Sequence, residues 1–183
     1  MKNFEKYKPY SIRLKHYNYS WPGEYFITIC TKDRINYFGE IGKDQKMVLP
    51  EIGRLVEKEL LNTEKLCKEI KIDIYAVMPN HVHAIVTIDP IVETQGLASL
   101  RETDGFQNKF GPQSKNLGSM VRGFKSAVKK YATINNIDFA WQSGYHEEII
   151  STESHYDKVY DYILSNPSKW EEDRNNPKNI EKK

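Results

Sequence analysis

The stretch from Ile72 to Ile88, IDIYAVMPNHVHAIVTI, constrains this chain more than any other. Ile72–Val77 and His81–Ile88 are rich in β-branched and aromatic residues, and Met78-Pro79-Asn80 between them is short and turn-forming. The pair therefore predicts two strands joined by a tight connection. Side chains alternate along a strand, so His81, His83 and Ile85 share one face while Val82, Ala84 and Val86 share the other. Two imidazoles on one strand face can converge on a divalent cation and leave coordination positions open for a substrate oxygen. A polar surface or a hydrogen-bonded core feature is the plainer alternative.

The surrounding pattern is that of one domain. A chain of 183 residues is long enough to bury a core without staples, and 28% charged with 39% hydrophobic residues is a globular rather than a disordered composition. A net charge of only +2 means that any nucleic-acid reading must rest on local clusters, not on bulk charge. Cys30 and Cys67 sit in apolar-patterned segments and have no metal-ligand spacing, which points to buried reduced thiols. The N-terminus lacks an apolar leader core and no run approaches a membrane span, so a cytoplasmic, nucleoid-associated location and no membrane partner are expected.

Residues 1–22 interleave Arg13, Lys15 and other basic groups with aromatics, a mixture that can neutralise phosphates and stack bases, or simply pack as a solvated extension. Glu24–Thr31 alternates as a strand, and Tyr37–Ile41 is a short candidate partner. From Pro50 to about Ile70 the apolar residues recur at helical spacing. Residues 90–116 carry no sustained period and read as a long loop. Leu117–Ile134 is a helix whose apolar stripe runs beside a row of Arg122, Lys125 and Lys129, which can track a phosphate backbone or merely face solvent. His146–Ile150, extended by Phe139–Gln142, gives one more strand, and Thr152–Asn166 the last helix, stopped by Pro167. The remainder, 171–183, is charged and expected to fray. One domain over 23–170 results. The element order suggests an α+β sandwich of ferredoxin-like type, an antiparallel sheet with its helices packed on one side.

In the last helix Tyr156, Val159, Tyr160, Ile163 and Leu164 form an apolar arc, whereas Tyr162 points away with His155, Lys158 and Asn166. Tyr162 is thus the phenol left free to react as a nucleophile once a base or cation favours its ionised form. Asn166, one turn later, offers an amide oxygen at a helix C-terminus, where unpaired carbonyls favour a cation.

Taken in order, PNHVHAIV, LGSMVRGFKSAVKKY, WQSGYHEEII and YDYILSNPSKW resemble the REP-associated and IS200/IS605-like tyrosine transposases, within the class of histidine–hydrophobe–histidine single-strand nucleases. The similarity runs from about Tyr25 to Trp170. It implies Mg²⁺ or Mn²⁺ on His81 and His83, and Tyr162 as nucleophile forming a 5′-phosphotyrosine link. Its third metal ligand, Gln in the IS200/IS605 members, falls on Asn166 here, one methylene shorter. The implied partner is single-stranded or hairpin DNA, held by Arg122, Lys125, Lys129, Arg13 and Lys15; a homodimer sharing the site between chains and a site within one chain both stay open. Glu147 or Glu148 could orient a ligand. The alternative is a catalytically idle hairpin-binding regulator of the same fold. A two-histidine phosphoesterase is excluded, since no histidine is followed two positions later by Thr or Ser.

Overall fold

The computed structural model describes residues 22–89 and 116–180. The basic-aromatic extension with Arg13 and Lys15, and all but Asn116 of the expected loop over 90–116, lie outside the described residues.

The architecture is α+β, built on a four-stranded antiparallel sheet. Its strands are β1 (Gly23–Cys30), β4 (Ile70–Met78), β5 (His81–Ile88) and β6 (His146–Ile150), in the order β4-β5-β1-β6. A two-stranded ribbon, β2 (Glu40–Ile41) with β3 (Met47–Val48), lies beside it. The helices are α1 (Glu51–Leu66), α2 (Leu117–Ile134), α3 (Glu153–Ser165) and the short α4 (Pro177–Ile180). The first helix ends four residues before Ile70, which instead opens β4; no glycine or proline marks that stop in the sequence. Phe139–Gln142 contributes only a single bridge, Thr31 to Trp141, ahead of β6.

Register decides which side chains meet. His83 pairs across the sheet with Thr28 and Ala76, and His81 with Cys30 and Met78. His146 on β6 pairs with Thr28, so one row crosses all four strands: His146, Thr28, His83, Ala76. The opposite face presents Tyr25, Ile27, Ile29, Val82, Ala84 and Val86 to Val56 and Leu60 of α1 and Val121, Phe124 and Val128 of α2. The histidine face carries a second, smaller core in which Phe26, Met78, Ile85 and Ile150 pack on Val159 and Ile163 of α3 and on Trp170.

The helices therefore do not all lie on one side: α1 and α2 cover one face, α3 the other. The physical reason is visible in β5, buried at nearly every position. A strand apolar on both faces needs cover on both. Placing α3 there narrows its apolar stripe to Val159 and Ile163, and Tyr160 and Leu164, expected in the core, are exposed.

Helix ends follow local chemistry. Asn116 accepts from the Ser119 N–H at 2.8 Å while the Ser119 hydroxyl receives the Asn116 N–H, a reciprocal cap for α2. Thr152 caps α3 by accepting from the His155 N–H at 3.2 Å. Both cysteines are free. No helix among the described residues is long and apolar enough to cross a membrane.

The described part of the charged C-terminal segment, residues 171–180, does not fray. Pro167–Glu172 forms a 3-10 turn, and Trp170, Asp173, Asn175 and Asn176 are buried. Asparagine amides satisfy the backbone there: Asn176 Nδ2 donates to the Trp170 carbonyl and Asn179 Nδ2 to those of Glu171 and Asp173, each at 2.9 Å. Trp170→Ala is expected to cost about 3–5 kcal/mol in urea unfolding and to raise amide exchange at 173–176; a loose tail would leave both measurements at wild-type values.

Candidate active site

The two histidines stand on the α3 face with ring centroids 4.4 Å apart, both buried. Asn80, in the turn just before them, fixes the first. Its Nδ2 donates to the carbonyls of Arg34 and Asn175, each at 2.9 Å, which leaves Oδ1 as the acceptor facing His81 Nδ1 at 2.9 Å. His81 must then carry its proton on Nδ1 and present a lone pair at Nε2. That lone pair faces Asp173 Oδ2 at 3.9 Å. Burial, with the positive charges of Arg34 and Arg174 behind it, holds His81 well below the usual imidazole range. The contact is thus no ion pair but two acceptors aimed at each other.

His83 is pushed down to about 3, again chiefly by burial and then by Arg174. Its Nδ1 lies 2.9 Å from Thr28 Oγ1, the cross-strand neighbour dictated by register. Its Nε2 lies 3.3 Å from Tyr162 Oη, delivered by α3. A neutral imidazole accepts from the phenol there only when its proton is on Nδ1, towards Thr28. Phe26 stacks on His83 at 5.2 Å and meets Tyr162 edge-on at 6.0 Å, setting the floor of the site. The phenol is raised above its ordinary value by burial and by Asp173, while a hydrogen bond from the Asn166 side chain and the charge of Arg174 pull it back. Tyr162 therefore rests protonated. A cleft of about 570 Å³ opens over it, reaching Asn166, Asp173 and Arg174.

One nitrogen from each of His81 and His83 and one oxygen of Asp173 lie within 4.8 Å of one another. His81 Nε2, Asp173 Oδ2 and Asn166 Oδ1 are all buried and have no hydrogen-bond partner. Buried acceptors without donors are costly, and a cation between His81 Nε2 and Asp173 Oδ2 relieves both. Atoms bound at roughly 2.1 Å to one ion stand up to about 4 Å apart, which the 3.9 Å separation satisfies. Two imidazoles with carboxylate and amide oxygens suit Mn²⁺ at least as well as Mg²⁺ and leave coordination positions open. The residues present fit a divalent ion.

No family model matches the chain. It is 40% identical over 166 residues to an uncharacterized protein of Haemophilus influenzae, covering 90% of this chain and 91% of that one. The chain belongs to that protein's family. Among solved structures the fold of this family member is similar to a REP-associated tyrosine transposase bound to a REP hairpin, with a TM-score of 0.54 at 17% identity over 86% of this chain and 74% of that one. The fold is transposase-like.

Of the residues singled out in the sequence, His81, His83, Tyr162 and Asn166 come together in a single chain. Arg122, Lys125 and Lys129 do not join them, since α2 packs on the other face of the sheet. There Lys125 Nζ donates to the carbonyls of Gln142 and Gly144 at 2.7 and 2.8 Å, and Lys129 Nζ to that of Phe139 at 2.5 Å. Glu148 lies 3.3 Å from His155 at the rim of the cleft. Asp173, Asn80 and Thr28 were missed. The usable signals were Trp170, a large apolar residue inside a charged run, and the strand pairing that a hairpin register implies for Thr28.

Two outcomes are expected. In the unfolded chain both histidines return to about 6.5. As pH falls through that value the unfolded state takes up protons that the folded state refuses until near the low folded values, so stability drops. Each histidine contributes up to about 1.4 kcal/mol per pH unit. Unfolding free energies between pH 6 and 4 should fall less steeply for His83→Gln than for wild type by about that amount; equal slopes would refute buried neutral His83. Second, Mn²⁺ at a hundredfold its dissociation constant should raise stability by about 2.7 kcal/mol. Calorimetry should lose this gain in His81→Ala and most of it in Asp173→Asn, and retention in both would exclude the site.

Proposed function

We propose that this chain is a metal-dependent endonuclease and strand transferase acting on single-stranded or hairpin DNA, of the REP-associated, IS200/IS605-like tyrosine transposase class. The observation that carries the reading is the 3.3 Å approach of Tyr162 Oη to His83 Nε2, between residues 79 apart in one chain, at the edge of a fitted cation cluster.

His81, His83 and Asp173, with Asn166, would hold Mg²⁺ or Mn²⁺, which when bound polarises a phosphate oxygen and neutralises developing charge. The chain's own part is to aim the nucleophile. Phe26 and His83 confine the Tyr162 ring, and His83 Nε2 faces its oxygen at 3.3 Å, so the phenol waits in one orientation at the cleft floor. Tyr162 oxygen attacks phosphorus, an O–P bond forms, and the bond to the 3′ oxygen breaks. In net terms the phenol proton ends on the released 3′-OH. The 5′-phosphotyrosine link conserves the bond, so another 3′-OH can reverse the step and join new ends. A second chain is not required to assemble these residues. On the far face, Arg122, Lys125 and Lys129 remain proposed contacts for single-stranded or hairpin DNA, as do Arg13 and Lys15 of the N-terminal extension.

The test is a denaturing gel of labelled hairpin DNA, drawn from palindromic repeats beside the coding region, incubated with Mn²⁺ or Mg²⁺. Wild type should give a covalent protein–DNA band, and Tyr162→Phe none despite undiminished binding. A His81/His83→Ala double variant should lose the band as well. Cleavage surviving Tyr162→Phe would overturn the choice of nucleophile. Binding without cleavage by wild type would favour the idle regulator.

A further inference from the structure

The row on α2 is the obvious cationic feature, yet two of its three members already serve as donors to the 139–144 backbone and the row lies across the sheet from Tyr162. A different set of cations surrounds the nucleophile. Lys158, Lys169 and Arg174 all line the cleft that holds Tyr162, and all three are exposed. None has a carboxylate within ion-pairing distance among the described residues, whereas the neighbouring His155 at the same rim is engaged by Glu148. These side chains are therefore free to take anionic groups from solution.

Their placement along the chain is directional. Lys158 lies one helical turn before Tyr162 on the same face of α3, a rise of about 6 Å. Lys169 sits in the 3-10 turn after α3, and Arg174 follows it on the segment that Trp170 and Asn175 pin to the sheet. Cations thus precede and follow the nucleophile in the chain and line one cleft of about 570 Å³ with it. At roughly 3.4 Å per phosphate of a stacked strand, the step from Lys158 to Tyr162 spans one or two nucleotides. The carboxylates at the cleft do not cancel the pattern. Glu148 is half exposed but lies 3.3 Å from His155, Asp173 is buried and turned to the histidines, and Glu172 is exposed near Arg174 in the chain.

We propose that Lys158, Lys169 and Arg174 form the track that holds the phosphates of a single DNA strand on either side of the one presented to Tyr162. This rests on the nuclease reading above and names the groups that seat its substrate. A single strand fits because its backbone is an evenly spaced anion that can be drawn past the Tyr162 ring, and charge contacts of this kind ask nothing of base sequence.

The experiment is a salt titration of binding, read by fluorescence anisotropy with a labelled hairpin oligonucleotide bearing a single-stranded flank, in chelator so that no cleavage intervenes. Each phosphate contact on single-stranded DNA contributes about 0.7 to the slope of log K against log salt. The triple variant Lys158→Gln/Lys169→Gln/Arg174→Gln should lower that slope by about 2. A charge-matched variant of exposed lysines across the sheet, Lys58→Gln/Lys65→Gln/Lys68→Gln, should leave it at the wild-type value. An unchanged slope in the cleft variant, or an equal loss in the control, overturns the track. The covalent-band assay run alongside separates the two readings. A band from wild type with no slope change refutes the track and keeps the nuclease, while a slope loss without any band keeps the track and refutes the nuclease.

Discussion

A single buried carboxamide ties this molecule together. Asn80 is fully buried in the β4–β5 turn, and a buried amide is stable only when its donors and acceptor are all used. Its two N–H bonds reach Arg34, in the turn after β1, and Asn175, in the C-terminal segment 95 residues away. Its oxygen fixes the proton on His81 Nδ1. One side chain thereby anchors the N-terminal turn, the central hairpin and the end of the chain, and sets which nitrogen of His81 is available for bonding. Removing it would leave the Asn175 carbonyl and the His81 imidazole unpaired in a buried setting, a cost of about 1–3 kcal/mol for each group, and would free the part-buried Arg34 carbonyl as well. The carbonyl of Asn80 adds a fourth tie by accepting from the Thr31 N–H at 2.9 Å.

Much of the fold could be read because its elements are periodic. The α2 boundaries, the β5 strand and the hairpin turn follow directly from spacing and caps. The side of the sheet that α3 covers was not read, although β5 held the clue. Val82, Ala84 and Val86 on one face, and Ile85 between histidines on the other, make a strand with no wet side. Periodicity reports which residues share a face; the number of covered faces depends on what else is available to cover them. The same blindness misplaced Tyr160 and Leu164, since a helix sitting on a small sheet buries a narrower stripe than its apolar composition offers.

At the site the division is sharper. His81, His83 and Tyr162 were legible because each stands in a recognisable local context. Asp173 was not, because nothing within several residues distinguishes it from Glu171 or Glu172. Its burial is set by Trp170, which inserts beside His81 with ring centroids 6.1 Å apart, and by the asparagine bonds that turn the backbone after it. A charged run is read as solvated by default, and here one apolar residue folds it inward. The lysines of α2 show the converse: a cationic row at helical spacing looks alike whether its ammonium groups meet water, phosphate or, as with Lys125 and Lys129, the carbonyls of a neighbouring loop.

The electrostatics of the cluster and the state of the phenol cannot be separated. Asp173 clusters with the two histidines, and it acts on Tyr162 as well, reinforcing the burial that keeps the phenol protonated. A positive charge between His81 Nε2 and Asp173 Oδ2 would satisfy two orphaned acceptors and cancel the repulsion that Asp173 exerts on a developing phenolate. Arg174 already does part of this from the cleft rim, lowering both histidines and the tyrosine. The resting arrangement therefore keeps the Tyr162 phenol protonated by burial and by the same carboxylate that makes the cluster attractive to a cation. Asp173→Asn should accordingly separate two effects that a histidine substitution merges: it weakens the cluster's hold on an ion while relieving the phenol of its nearest negative charge.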